Sequence, residues 1–126
     1  SASAVSLIAC DASSAADAAD ALGASPGTPA ANALLHASGV LADATLPNQT
    51  AQAMRRAFAP KVQGALNCSE ALACRAAGSY VAFSSVAALL GSPGQASYSA
   101  ANAALDGLAA ASKAMERVVL ALARSV

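Results

Sequence analysis

Aromatic side chains are nearly missing from this 126-residue chain: Trp is absent, and Phe, Trp and Tyr together make up 3%. A core built from it must close on small side chains, with few large anchors. Charge is scarce too, at 11%, and it sums to zero. Nothing in that balance draws the chain to nucleic acid or to an anionic membrane. The longest basic run, Arg55–Arg56, reads as a solvated helix face. Despite a positive mean hydropathy, no apolar stretch reaches the roughly 18–20 residues that a membrane-spanning helix needs. The opening residues, SASAVSLIACDASS, lack a basic segment and meet Asp11 too early for a secretory signal. Cysteine is limited to Cys10, Cys68 and Cys74. An odd count without a secretory signal argues against a disulfide framework, and with His36 as the single histidine no zinc spacing arises. Buried or half-buried free thiols and a cytoplasmic location are the expectation.

What is present is hydrophobic bulk. At 56% apolar residues the chain is no solvated, disordered polymer, and its length suits one small domain with a modest core.

The apolar residues fall in short runs. Ala4–Ala9 reads as a buried strand ending at Cys10–Asp11. Ser13–Ser14 cap a helix to about Leu22, stopped at Gly23, and Ser25–Pro29 form a linker. Ala33–His36 is a second strand, followed by a small-residue loop through Ala37, Ser38 and Gly39. Thr50 caps a helix with Met54, Phe58 and Val62 on one side; Pro60 predicts a break or kink, after which helix resumes from Lys61 to about Ala77. Ser79–Phe83 is a third strand running into Ser84–Ser85. A loop containing Gly91, Pro93 and Gly94 follows, then helix from Gln95 nearly to the end. The order β-α-β-α-β-α predicts an α/β fold: a parallel sheet covered by helices on both faces. Ligands of such sheets lie beyond the carboxyl ends of the strands, where Asp11, Ser38–Gly39 and Ser84–Ser85 are expected.

Tyr98 and Asn102 are one helical turn apart and share a face. Ser85 ends the strand before them, and Lys61 is the plausible local cation. A phenol is a poor acid near neutrality, because its ordinary pKa is about 10. A nearby ammonium stabilises the phenolate and brings it toward use. A serine hydroxyl beside it suits donation to a carbonyl oxygen. Singly, each residue has an ordinary structural reading: core aromatic, solvated lysine, turn serine.

The segments LLHASGVLADATL, APKVQGALN and FSSVAALLGSPGQASYSAANAALDGLA resemble the ketoreductase domains of type I polyketide synthases and their fatty acid synthase relatives, within the short-chain dehydrogenase/reductase superfamily. The resemblance runs from about Val5 to about Ala110. It implies a Rossmann-like doubly wound sheet, and NADPH-dependent reduction of a β-ketoacyl thioester carried on an acyl carrier protein, beside other synthase domains. Most of the superfamily places Lys four residues after Tyr; these ketoreductases exchange the Lys and Asn positions, and Lys61 with Asn102 fits the exchange. Tyr98 then looks like the proton donor, Ser85 like the hydroxyl that polarises the keto oxygen, Lys61 like the cation feeding a proton relay, and Asn102 like the residue holding that relay. Asp11 matches the carboxylate near the adenine, and Ala37, Ser38 and Gly39 the loop beside the cofactor ribose. No metal is implied. Leu41-Ala42-Asp43, and Leu90 in place of a Trp, lean toward the type that yields the D-hydroxy product. His36 reads as structural.

No Gly-x-Gly-x-x-Gly occurs in the sequence. The superfamily's pyrophosphate-binding turn is therefore expected upstream of Ser1, which makes this a partial domain with weak or absent NADPH affinity by itself. A non-catalytic structural fragment is the alternative reading.

Overall fold

Pro60 interrupts a long helical segment, and the chain answers by widening one turn rather than breaking. In the computed structural model, which describes residues 5–23, 33–73 and 79–111, α2 (Ala51–Phe58) runs through a π turn (Ala59–Gln63) directly into α3 (Gly64–Ala73). Proline lacks an N–H and crowds the carbonyl four residues back, and the wider turn accommodates both. The Gly64 N–H reaches back five residues to the Ala59 carbonyl. The Thr50 hydroxyl caps α2 by accepting from the Ala53 N–H at 3.1 Å. Leu46–Asn48 forms a 3-10 turn before it.

The other elements are α1 (Ala15–Gly23), β1 (Ala33–His36), β2 (Ser79–Ala82), α4 (Ala87–Leu90) and α5 (Ala96–Ala111). β1 and β2 pair in parallel, from Ala33 opposite Ser79 to His36 opposite Ala82. The Phe83 N–H extends the ladder to the His36 carbonyl at 3.0 Å. Strand pleating sends Tyr80 and Ala82 to one face, where they pack with Ala18 of α1, with Ala65, Cys68 and Leu72 of α3, and with Leu105 of α5. Three helices thus cover one face of the sheet. Leu35 points the other way and stays 65% exposed, so among the described residues the second face is open. The core is built from small side chains, as the composition requires. Its single aromatic, Tyr80, donates its hydroxyl to the Ala65 carbonyl at 3.3 Å, and burial pushes that phenol well above its ordinary range.

One expected strand does not form. Residues 5–10 are irregular and exposed. A strand exists only with a ladder partner, and the described sheet pairs β1 with β2 alone. Cys10 is accordingly an exposed thiol rather than a covered one, whereas Cys68 lies in the core. The Ser25–Pro29 linker, Cys74 and the helix past Ala111 lie outside the described residues. α4 was not foreseen; Gly91 and Gly94, with φ of 70° and 74°, reverse the chain between it and α5. No described helix is long and apolar enough to cross a membrane.

Candidate active site

The π turn puts Lys61 where an ordinary helix surface would leave it in water. The residue is 5% exposed. Its Nζ donates to the carbonyl of Phe83, just past β2, at 2.7 Å, and lies 6.0 Å from the ring centroid of Tyr98. Burial pulls the Lys61 amine below the usual lysine range, and Asp106 on α5 opposes that shift. Tyr98, Asn102 and Asp106 follow one another at four-residue steps, so one stripe of α5 faces this cation. The role of Asp106 was missed in the sequence, although its spacing was visible there. The Phe83 carbonyl was missed because a backbone group leaves no residue signal.

Asn102 is fully buried. Its Nδ2 donates to the Tyr98 carbonyl at 2.8 Å, while its Oδ1 has no partner among the described residues. Buried acceptors are nearly always paired, so a free one beside Tyr98 marks a place for water or a relay group. The Ser84 hydroxyl reaches the Asn102 carbonyl at 3.4 Å. Ser85 is buried, and its Oγ accepts from the Ala87 N–H at 3.2 Å, which leaves the hydroxyl hydrogen free to donate.

The loop after β1 closes over this cluster. A Cβ on Gly39 would sit 3.8 Å from Lys61 Nζ, so the missing side chain leaves space beside the ammonium. Ala37 and Gly39 are exposed and Ser38 half-buried. Further on, the loop is tied to the start of α5. The Ala44 N–H donates to the Gly94 carbonyl at 2.9 Å, the Ser97 hydroxyl to the Ala42 carbonyl at 3.1 Å, and the Gln95 amide to Asp43 at 3.2 Å. Asp11 stands apart. It is exposed and accepts from the backbone and hydroxyl of Ser13 at 2.9 and 2.7 Å, contacts that hold its carboxyl below the usual range. Among the described residues no hydrogen bond joins it to Lys61, Ser85, Tyr98 or Asn102. It belongs to the same neighbourhood only through Ala12, which packs against Gly64. A separate apolar cavity of about 240 Å³ between α3 and α5 is floored by Tyr80 and Ala82; none of the four candidate catalytic residues lines it.

This buried lysine, half-buried tyrosine and buried asparagine beyond a parallel sheet can be set beside known proteins. The family model for the KR domain matches residues 1–125. The chain belongs to the ketoreductase (KR) domain family. It is 50% identical over 76 residues, 60% of its length, to the phthioceranic/hydroxyphthioceranic acid synthase of Mycobacterium tuberculosis. With the pikromycin polyketide synthase component PikAII of Streptomyces venezuelae it shares 38% identity over 107 residues, 83% of its length. The chain spans 4% and 3% of those two proteins. A solved A-type ketoreductase from a modular polyketide synthase superposes with a TM-score of 0.81 at 32% identity, over 92% of this chain and 25% of that one. The KR chain is thus a partial Rossmann-like α/β unit that spans a quarter of that solved ketoreductase.

Proposed function

We propose that this KR chain supplies the proton-transfer groups for NADPH-dependent reduction of a β-ketoacyl thioester, tethered to an acyl carrier protein, to the β-hydroxyacyl thioester. The observation that carries the reading is Lys61: a buried ammonium, fixed by the Phe83 carbonyl, 6.0 Å from the Tyr98 ring. An ammonium kept out of water beside a phenol stabilises the negative charge that proton transfer leaves on the phenol oxygen.

When bound, NADPH supplies the hydride to the keto carbon. Tyr98 gives its hydroxyl proton to the oxygen of that carbonyl, so that hydride and proton together convert C=O to CH–OH. Ser85 donates to the same oxygen, orienting it and stabilising the negative charge that builds there. Asn102 offers its unpaired Oδ1 to a water that returns a proton toward Tyr98, and Lys61 holds the charge steady while this happens. The residues that would hold the cofactor are Asp11, toward the adenine, and the Ala37–Gly39 backbone, toward the ribose. The space left by Gly39 beside Lys61 fits such an approach. Other synthase domains are the expected neighbours, and the cytoplasm the expected compartment. Leu90, where the A-type carries Trp, supports a D-configured hydroxyl, although Ala42 departs from the Leu-Asp-Asp stretch of the D-yielding type; the A-type label belongs to the solved relative.

The test is an NADPH titration of the purified chain, followed by nicotinamide fluorescence and then by β-ketoacyl-thioester turnover. With no Gly-rich turn in its sequence, the chain alone is expected to bind weakly. Turnover is expected once a ketoreductase Gly-rich βαβ unit is supplied, and it should be lost in Tyr98→Phe. Absence of turnover from a folded, NADPH-binding reconstitution would overturn the catalytic reading. It would favour a non-catalytic structural unit, which the sheet face left open among the described residues also suits.

A further inference from the structure

His36 is a buried titratable group that the chemistry assigned to Lys61 and Tyr98 does not use. His36 ends β1, is 3% exposed, and lies with its Nε2 3.0 Å from the backbone carbonyl of Lys61. A carbonyl only accepts, so in this contact Nε2 carries the proton. Two further bonds close a circuit. The Phe83 N–H donates to the His36 carbonyl at 3.0 Å, and Lys61 Nζ donates to the Phe83 carbonyl at 2.7 Å. Lys61 is thereby gripped at both ends, its backbone by an imidazole from β1 and its ammonium by the residue after β2.

The helix is shaped to receive that imidazole. A Cβ at position 64 would lie 3.1 Å from His36 Cε1 and 3.2 Å from the Ala12 side chain, so glycine there lets the ring seat against the helix without being pressed aside by a few tenths of an ångström. The carbonyl it meets lies in the π turn, one residue after Pro60, where regular helix bonding is interrupted. Local helix bonding leaves the orientation of this turn open to a fixed donor from outside the helix.

We propose that His36 is a positioning residue for Lys61: its Nε2–H fixes the π turn so that the ammonium stays between Phe83 and Tyr98. The inference rests on the proposed role of Lys61, but its test does not need turnover. The sequence holds two lysines, Lys61 and Lys113, so the chain labelled with ¹³C-lysine gives two side-chain signals, assigned with Lys113→Arg. His36→Phe keeps a ring and removes the donor; His36→Gln places an amide N–H near the Nε2 position.

In His36→Phe the Lys61 Cε titration midpoint is expected to rise toward that of free lysine by roughly half a pH unit or more, as the released side chain regains water. In His36→Gln the parent midpoint is expected to persist. Unfolding of His36→Phe with a folded, parent-like His36→Gln also supports a donor role. A folded His36→Phe with an unchanged midpoint overturns the proposal. So does a Gln variant that shifts as Phe does, or unfolding of both variants, since either makes the ring a packing element. If the reduction chemistry fails while the lysine shifts as described, the functional reading falls and the positioning stands. If reconstituted His36→Phe turns over like the parent with an unmoved lysine, the positioning falls and the chemistry stands.

Discussion

Two regions of this chain reverse the usual distribution of residues in a folded protein. At the carboxyl ends of β1 and β2, His36, Lys61, Ser84, Ser85, Ser97 and Asn102 are all buried; in residues 5–10, Val5, Leu7 and Ile8 are exposed, Leu7 completely. Polar groups are normally outside and large apolar ones inside. The buried region tolerates its polarity because nearly every group has a named partner, from the Phe83 carbonyl on Lys61 to the Ala42 carbonyl on Ser97. Asn102 Oδ1, its exception, has no partner among the described residues. The exposed region has apolar side chains but no strand to pair with among the described residues. Burial therefore follows satisfied hydrogen bonding, and apolarity alone does not produce it.

The sharpest way to break this contrast is to remove the reacting hydroxyl from the polar region. In a reconstituted, active domain Tyr98→Phe should lower kcat by about 10²–10⁴-fold, the usual worth of a general acid, with unchanged thermal unfolding. A fall in stability matching the fall in rate would make Tyr98 a packing residue. Next in size is a direct comparison of apolar positions. Leu72→Ala, in the α3 core at 1% exposure, should cost about 2–5 kcal/mol in denaturant unfolding. Leu7→Ser should stay within about 0.5 kcal/mol. Equal costs would show that residues 5–10 are packed in solution.

Gly64→Ala should follow at a net loss on the order of 1 kcal/mol. Crowding of His36 and Ala12 outweighs the gain in helix propensity, and a neutral result would mean that the imidazole yields easily. The smallest effect is a pH dependence. Burial lowers the His36 pKa from its ordinary 6.5, so below pH 6.5 the unfolded chain takes up a proton that the folded chain resists. That stability contribution is fully present above pH 6.5 and is lost as pH falls from 6.5 through the folded value. His36→Gln should flatten this acid-side slope, measured as midpoint denaturant concentration against pH.

Much of the site is legible in the order of residues alone. Ser14, Thr50, Pro60 and the Tyr98–Asn102 step each act through neighbours within about four residues, and each appears as expected: two caps, a distorted turn and a shared face. The strand at Ala4–Ala9 was misread because its apolar run matched a local pattern, while strand formation depends on a distant partner. The anchor from His36 to Lys61 was invisible for the same reason. Its partners are 25 residues apart, and one of them is a carbonyl.

The sequence by itself determined where α1, α2 and α5 begin, that residue 60 would disturb a helix, and which residue types were present for proton transfer to a ketone. Only the tertiary structure decided that Lys61 is buried, that Phe83 and His36 hold it from two strands, that Gly64 makes room for the imidazole, and that residues 5–10 lie open. The division is physical. Caps, turns and helical faces depend on backbone geometry over a few residues, whereas the placement of a charge depends on desolvation and on hydrogen bonds between segments that meet only when the chain has folded.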